Sequence, residues 1–132
     1  MRAIAILLGL ALVPVLLSSA AHARPGKRLD PATNTCRLLT FANSGWNSPG
    51  AHVWKETCKG CHARDNDQGA PFLHPGSKTM KAWNRVFFER YPKCARSGAW
   101  DKLSQEELLS LNDYLFVHAY NAYDPNDAAD CG

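Results

Sequence analysis

Residues 56–65 read ETCKGCHARD. Cys58 and Cys61 stand three apart, and His62 follows the second thiol at once. Two thiols and an imidazole so close together suit three chemistries. They can carry a porphyrin through two thioether bonds with the imidazole on its iron, hold zinc, or form a redox-active dithiol. A plain disulfide beside a solvated histidine is the fourth possibility. The rest of the sequence separates these readings.

A structural zinc site needs a second ligand pair at similar spacing, and none follows Cys61. A catalytic dithiol expects a strand–helix–strand setting, and no strand pattern is visible here. The C-x-x-C-H spacing fits covalent haem attachment. One helical turn sets the two sulfurs at the separation of two neighbouring vinyl groups. The next residue then projects its neutral imidazole toward the ring centre. Cys58 and Cys61 are therefore read as attachment residues of one haem c, with His62 as an iron ligand.

The start of the chain places this chemistry in a compartment. Arg2 precedes the apolar run AIAILLGLALVPVLL at 3–17, and Ala21-His22-Ala23 has the A-x-A form of a signal-peptidase site. The run is shorter than the ~20 residues of a spanning helix, and Pro14 interrupts it. Residues 1–23 are read as a signal peptide cleaved after Ala23, and the mature chain as periplasmic, with no membrane span. The formal charge of +3 is mild and forms no basic stripe, so nucleic acid is not an expected partner.

The expected organisation is an irregular extension over 24–47, rich in turn formers and with one short helical turn near 38–42, then one haem domain over 48–132. Ser48-Pro49 reads as N-cap and first helical residue of the helix that leads into Cys58. A glycine- and proline-rich loop covers 63–78. A second helix is expected over about 79–91, with Met80, Trp83, Phe87 and Phe88 on its apolar face and Pro92 beyond it. Another loop runs over 92–102. In the last helix Ser104 and Glu107 form a capping box and Leu103 and Leu108 a staple. Leu108, Leu111, Leu115 and Ala119 mark its buried face, and Asp124-Pro125-Asn126 closes it. The fold class is all-α. Long loops between few helices leave little core, and a large apolar cofactor would supply it.

The stretch GAHVWKETCKGCH, 50–62, resembles the N-terminal helix of class I c-type cytochromes, through Gly50, Trp54, Cys58, Cys61 and His62. GAPFL at 69–73 is similar to that family's G-P-x-L segment, with Ala70 inserted, and LSQEELLSLNDYLF at 103–116 is similar to its C-terminal helix. The likeness covers roughly residues 48–119. It implies a cytochrome c-like fold, with three main helices wrapped around one covalently bound haem. It also implies that the Pro71 carbonyl accepts the other N–H of His62, and that Gly50 meets the last helix near Leu111 and Leu115.

This sequence departs from the family at the far-side ligand. The family places a methionine in the loop before the last helix, and PKCARSGAWDK at 92–102 has none. Cys94 lies closest to the missing position and is favoured as the metal ligand. Met80, His74 and an open site are the alternatives, and His118 reads as a solvated or capping residue. With Cys58 and Cys61 on haem, Cys36 and Cys131 are the favoured disulfide pair, which leaves Cys94 single. Lys93, Arg96 and Lys102 would lower the pKa of a Cys94 thiolate.

The expected function is a periplasmic mono-haem cytochrome passing single electrons between envelope redox partner proteins. Lys55, Lys59 and Lys93 would steer it toward an acidic surface. Two alternatives stay open: a haem protein that binds a diatomic ligand such as NO or CO, and a haem subunit of a sulfur or nitrogen redox complex. In the second, Trp46, Trp100 and Phe116 would be partner contacts. No Ser-His-Asp set and no phosphate loop is present, so an independent enzyme is not expected.

Overall fold

The computed structural model describes residues 26–120. The expected signal segment 1–23, the cysteine at 131 and the proline at 125 lie outside the described residues. The described chain begins with two strands, where the sequence suggested irregular chain. β1 (Lys27–Asp30) and β2 (Thr35–Leu38) pair antiparallel, with Arg28 opposite Arg37 and Asp30 opposite Thr35. The Asp30 carboxylate accepts hydrogen bonds from the Thr33 N–H and hydroxyl, both at 2.9 Å, and Asn34 turns the chain with φ 52°. Asp and Asn are suited to such a turn because their short side chains bond the nearby backbone and tolerate the left-handed region.

The helical part follows. α1 (Phe41–Ser44) is a single capped turn. α2 (Pro49–Val53) starts on Ser48, whose hydroxyl accepts from Ala51 N–H, with Pro49 at the first position as expected. The winding continues through a π turn (Trp54–Cys58) into α3 (Lys59–His62). After a loop and a 3-10 turn (Pro75–Ser77), α4 (Met80–Glu89) begins on Thr79. It ends before Pro92, because Arg90 adopts φ 47° and stops the winding. The loop before the last helix contains a short helical turn, α5 (Lys93–Arg96). α6 (Gln105–Val117) has the predicted Ser104–Glu107 capping box and ends with His118 as its C-cap. The fold is mostly helical with three main helical segments, long loops and one small sheet. No helix among the described residues is long and apolar enough to cross a membrane.

Gly50 fixes how the first segment crosses the last. A Cβ at this position would run into the Ser110 carbonyl and come within 2.9 Å of the Tyr114 Cβ. The contact falls on Ser110 and Tyr114, one residue before each of the expected Leu111 and Leu115. Those leucines are instead buried in the core, at 0% and 1% exposure. Ala51, Trp54, Trp83, Val86, Phe87, Trp100 and Leu108 complete that core with them, and Leu103 packs against it as the staple requires. On α4, Val86 takes the inward place expected for Phe88, which is 56% exposed. Trp100 stacks on Phe87 at 5.1 Å and is a core residue, not a partner contact.

The hairpin is held by charge. Arg28 is 1% exposed and Asp113 fully buried. Arg28 bonds one oxygen of Asp113 through Nη2 at 2.7 Å and Nε at 2.9 Å, and reaches Asp30 at 2.8 Å and Asn84 at 3.0 Å through Nη1. Arg37 takes the other Asp113 oxygen at 2.7 Å and Glu106 at 3.0 Å. Two arginines thus meet two buried aspartates, and each charged head is multiply bonded, as burial demands.

Gly50→Ala should destabilise the fold by about 1–3 kcal/mol or more, since the backbone contact leaves no room to relax; urea unfolding measures it, and an unchanged midpoint would show the close approach to be wrong. The Asp30 carboxyl gives a pH prediction. Burial pushes its pKa up, but hydrogen bonds from Arg28 and Thr33 outweigh this and hold it below the ordinary 3.8. Its stabilisation is therefore complete above about pH 5 and is lost as pH falls through that depressed value. In an Asp30→Asn variant, stability followed by denaturant should fall less steeply below about pH 4 than in the parent.

Candidate functional site

The motif residues sit where the π turn passes into α3. A π turn adds a residue to the helical register and is frequent at functional sites. Trp54 anchors it in the core, edge-on to Trp83 at 6.2 Å, and the Trp83 indole N–H donates to Pro75 O at 2.7 Å. Cys58 is half-buried and packs against the core, Cys61 is exposed, and His62 is half-buried. Both cysteines are free thiols, as is Cys94. Cys36 is disulfide-bonded, and its expected partner lies outside the described residues.

The His62 ring is oriented by its neighbour in space. Its Nδ1 lies 2.7 Å from the Pro71 carbonyl oxygen. A carbonyl only accepts, so Nδ1 carries the proton. In the neutral ring the Nε2 lone pair is then left to act as a donor to a metal. This contact is the one the family resemblance implied for Pro71.

Burial pushes the Cys58 thiol up to about 12, the nearby Cys94 and Cys61 thiols add to this, and Lys102 opposes it. Cys94 is half-buried on α5 and packs against the same core. The other candidate ligands are placed differently. Met80 is half-buried at the first position of α4, whose core face is Trp83, Val86 and Phe87. His74 is exposed and its side chain caps the 3-10 turn. The His118 ring lies 4.0 Å from Trp46 and 4.8 Å from Tyr114, and its Nε2 donates to Ser44 O at 3.1 Å. It is a tether between α6 and α1, beyond the simple cap expected.

Of the expected steering lysines, Lys55 and Lys93 are exposed. Lys59 has another task. Its ammonium donates to His62 O and Leu73 O, each at 3.1 Å, and lies 4.5 Å from the Phe72 ring centre.

Among the described residues no three His, Cys, Asp or Glu side chains come together as a metal cage. A cleft of about 320 Å³ opens elsewhere, lined among others by Thr33, Phe87, Arg90 and Trp100, and none of the candidate ligands borders it. The donor set at the motif fits a covalently held haem: two free thiols on one helical segment, and one imidazole with a fixed tautomer. No protein-family model, curated protein or solved structure matches the chain.

The two motif thiols differ enough to be told apart. In chain without an attached group, iodoacetamide at pH 8 should alkylate exposed Cys61 well before Cys58, which is half-buried and a neutral thiol at that pH. Peptide mass mapping over time reads the order, and equal rates would mean that Cys58 is not buried as described.

Proposed function

We propose that the protein is a periplasmic mono-haem c-type cytochrome that passes single electrons between redox partners of the cell envelope. The observation that carries this reading is the 2.7 Å contact from His62 Nδ1 to the Pro71 carbonyl. A disulfide or a dithiol pair does not by itself require the ring nitrogen that a fixed Nδ1–H leaves free at Nε2. A haem iron does, and the acceptor holds the ring and raises the basicity of Nε2.

In this reading Cys58 and Cys61 would hold the haem through thioether bonds to its vinyl groups, and His62 would offer its Nε2 lone pair to the iron. Cys94 is the proposed second iron ligand; it packs against the same core as Cys58, while the His118 ring is engaged with Ser44 O. Haem held this way supplies a one-electron change at iron. A thiolate at Cys94 favours the ferric form and lowers the potential. Exposed Lys55 and Lys93 remain available to attract an acidic partner.

The test is expression of the exported chain with a c-type maturation system. The expected product gains the mass of one haem, shows Soret absorption, and keeps its colour in acid acetone. Cys94→Ala should lose the low-spin ferric signature in paramagnetic resonance and shift the potential upward, while attachment persists. A colourless chain of polypeptide mass would sink the haem reading. An unchanged Cys94→Ala spectrum would remove Cys94 as ligand, and fast carbon monoxide binding to the reduced parent would favour the diatomic-ligand alternative.

A further inference from the structure

The Pro71 carbonyl reaches His62 because the loop 63–72 is wound into one shape, and within the loop one side chain makes the bonds that bind its turns together. An amide has two N–H donors and an oxygen able to accept twice. Asn66 uses all four on its own loop. Its Nδ2 donates to Ala63 O at 2.9 Å and Ala70 O at 2.8 Å. Its Oδ1 accepts from Gln68 N–H and Ala70 N–H, both at 3.1 Å. Turning the amide over would set N–H against N–H and oxygen against oxygen, so this orientation is the bonded one. Gly69, at φ 64°, supplies the left-handed backbone the ring of bonds requires.

Ala70 is thereby gripped at both its N–H and its C=O. The next residue is Pro71, whose ring fixes its φ. With the incoming peptide held and φ locked, the Pro71 carbonyl carbon is set in place, and only ψ is left to turn its oxygen onto His62 Nδ1, a rotation limited from the other side by the Leu73–His62 bond. The loop base is closed separately. Leu73 N–H donates to His62 O at 3.3 Å, Lys59 bonds the carbonyls of both residues, and Phe72 carries Lys59 and Arg64 on its ring, each at 4.5 Å.

We propose that Asn66 is a positioning residue for His62: through its grip on Ala70 it aims the Pro71 carbonyl, and so sets the tautomer, orientation and basicity of the imidazole. None of its four hydrogen bonds goes to the imidazole. The part concerning basicity rests on the haem reading, and the part concerning the Nδ1 proton does not.

The experiment uses the full exported chain, made with the maturation system and labelled with 15N-histidine, as parent, Asn66→Ala, Asn66→Asp and Gln68→Ala. Gln68 is the control, because its side chain bonds only Asp67 at the surface. Two quantities are read: solvent exchange of the His62 Nδ1 proton, and reduction potential. In Asn66→Ala the proton should exchange at least about tenfold faster, as loss of one well-formed hydrogen bond implies. Its potential should rise, because a less basic imidazole stabilises ferric iron less. Asn66→Asp keeps the acceptor half of the ring, so its exchange should lie between parent and Asn66→Ala; it is judged on exchange alone, because the added carboxylate charge itself lowers the potential. Gln68→Ala should match the parent.

Parent-like exchange and potential in Asn66→Ala overturn the proposal, and so does an equal change in Gln68→Ala, which would mean generic loosening of the loop. If Asn66→Ala does not fold, Asn66→Asp decides alone, with exchange faster than the parent in support and the parent's rate against. A parent without Soret absorption means failure of the haem reading only. The exchange of the Nδ1 proton and the 15N shifts of the imidazole, taken on that same chain, still decide whether Asn66 holds the His62 tautomer.

Discussion

The absence of one carbon atom decides where the functional segment lies. At Gly50 the backbone of α2 rests on the Ser110 carbonyl of α6, and no side chain fits between. Everything after Gly50 on the same winding inherits that placement. Ala51 and Trp54 go into the core, and Cys58, Cys61 and His62 emerge at its edge. A larger residue would push the segment away from α6 and tilt all three motif side chains together. The π turn then adjusts the register between the buried part and the motif, so packing and site geometry are set by one continuous piece of chain.

The second constraint is electrostatic, and it joins parts of the chain that lie far apart in sequence. Asp113 gives one carboxylate oxygen to Arg28 and the other to Arg37. A buried carboxylate is costly unless it is both paired and fully hydrogen-bonded. Here α6 supplies the acceptor and the hairpin supplies the donors, so the hairpin docks in one register. Exchanging the strand faces would expose Arg28 and Asp30 and leave Asp113 with an uncompensated charge.

The sequence carried the helical part of this architecture in local signals. Ser48-Pro49, Thr79 and the Ser104–Glu107 pair are caps whose chemistry is confined to a few residues, and each starts a helix where expected. The hairpin was not legible for a physical reason. Its inward positions are Arg28 and Asp30, so the alternation that marks a half-buried strand is polar where an apolar pattern was sought. Asp30 is bonded locally by Arg28 and Thr33, but the further partners that make Arg28 tolerable lie more than fifty residues away, on α4 and α6. Val86 and Phe88 on α4 are equally apolar in the sequence, and only the crossing geometry says which one is buried. At the site, the C-x-x-C-H motif was visible in its own spacing, whereas Pro71 was reached only through the family resemblance. The roles of Lys59 and Asn66 were not visible, since a lysine beside a motif and an asparagine in a polar loop look like ordinary surface residues until the loop is closed.

Burying the arginine–aspartate cluster has a consequence for ionic strength. Mobile ions screen charges that they can approach, and a pair such as Arg85–Glu89 on the exposed face of α4 is weakened by added salt. Arg28 and Asp113 are out of reach of those ions. The Arg28–Asp113 part of the clamp therefore keeps its strength in brine, whereas the Arg37–Glu106 pair, with Glu106 exposed, is screened, and so would be the attraction of surface lysines for the acidic partner proposed above. Rates of encounter measured across a salt series would thus report the long-range field of the surface, with the buried Arg28–Asp113 pair beneath it unaltered.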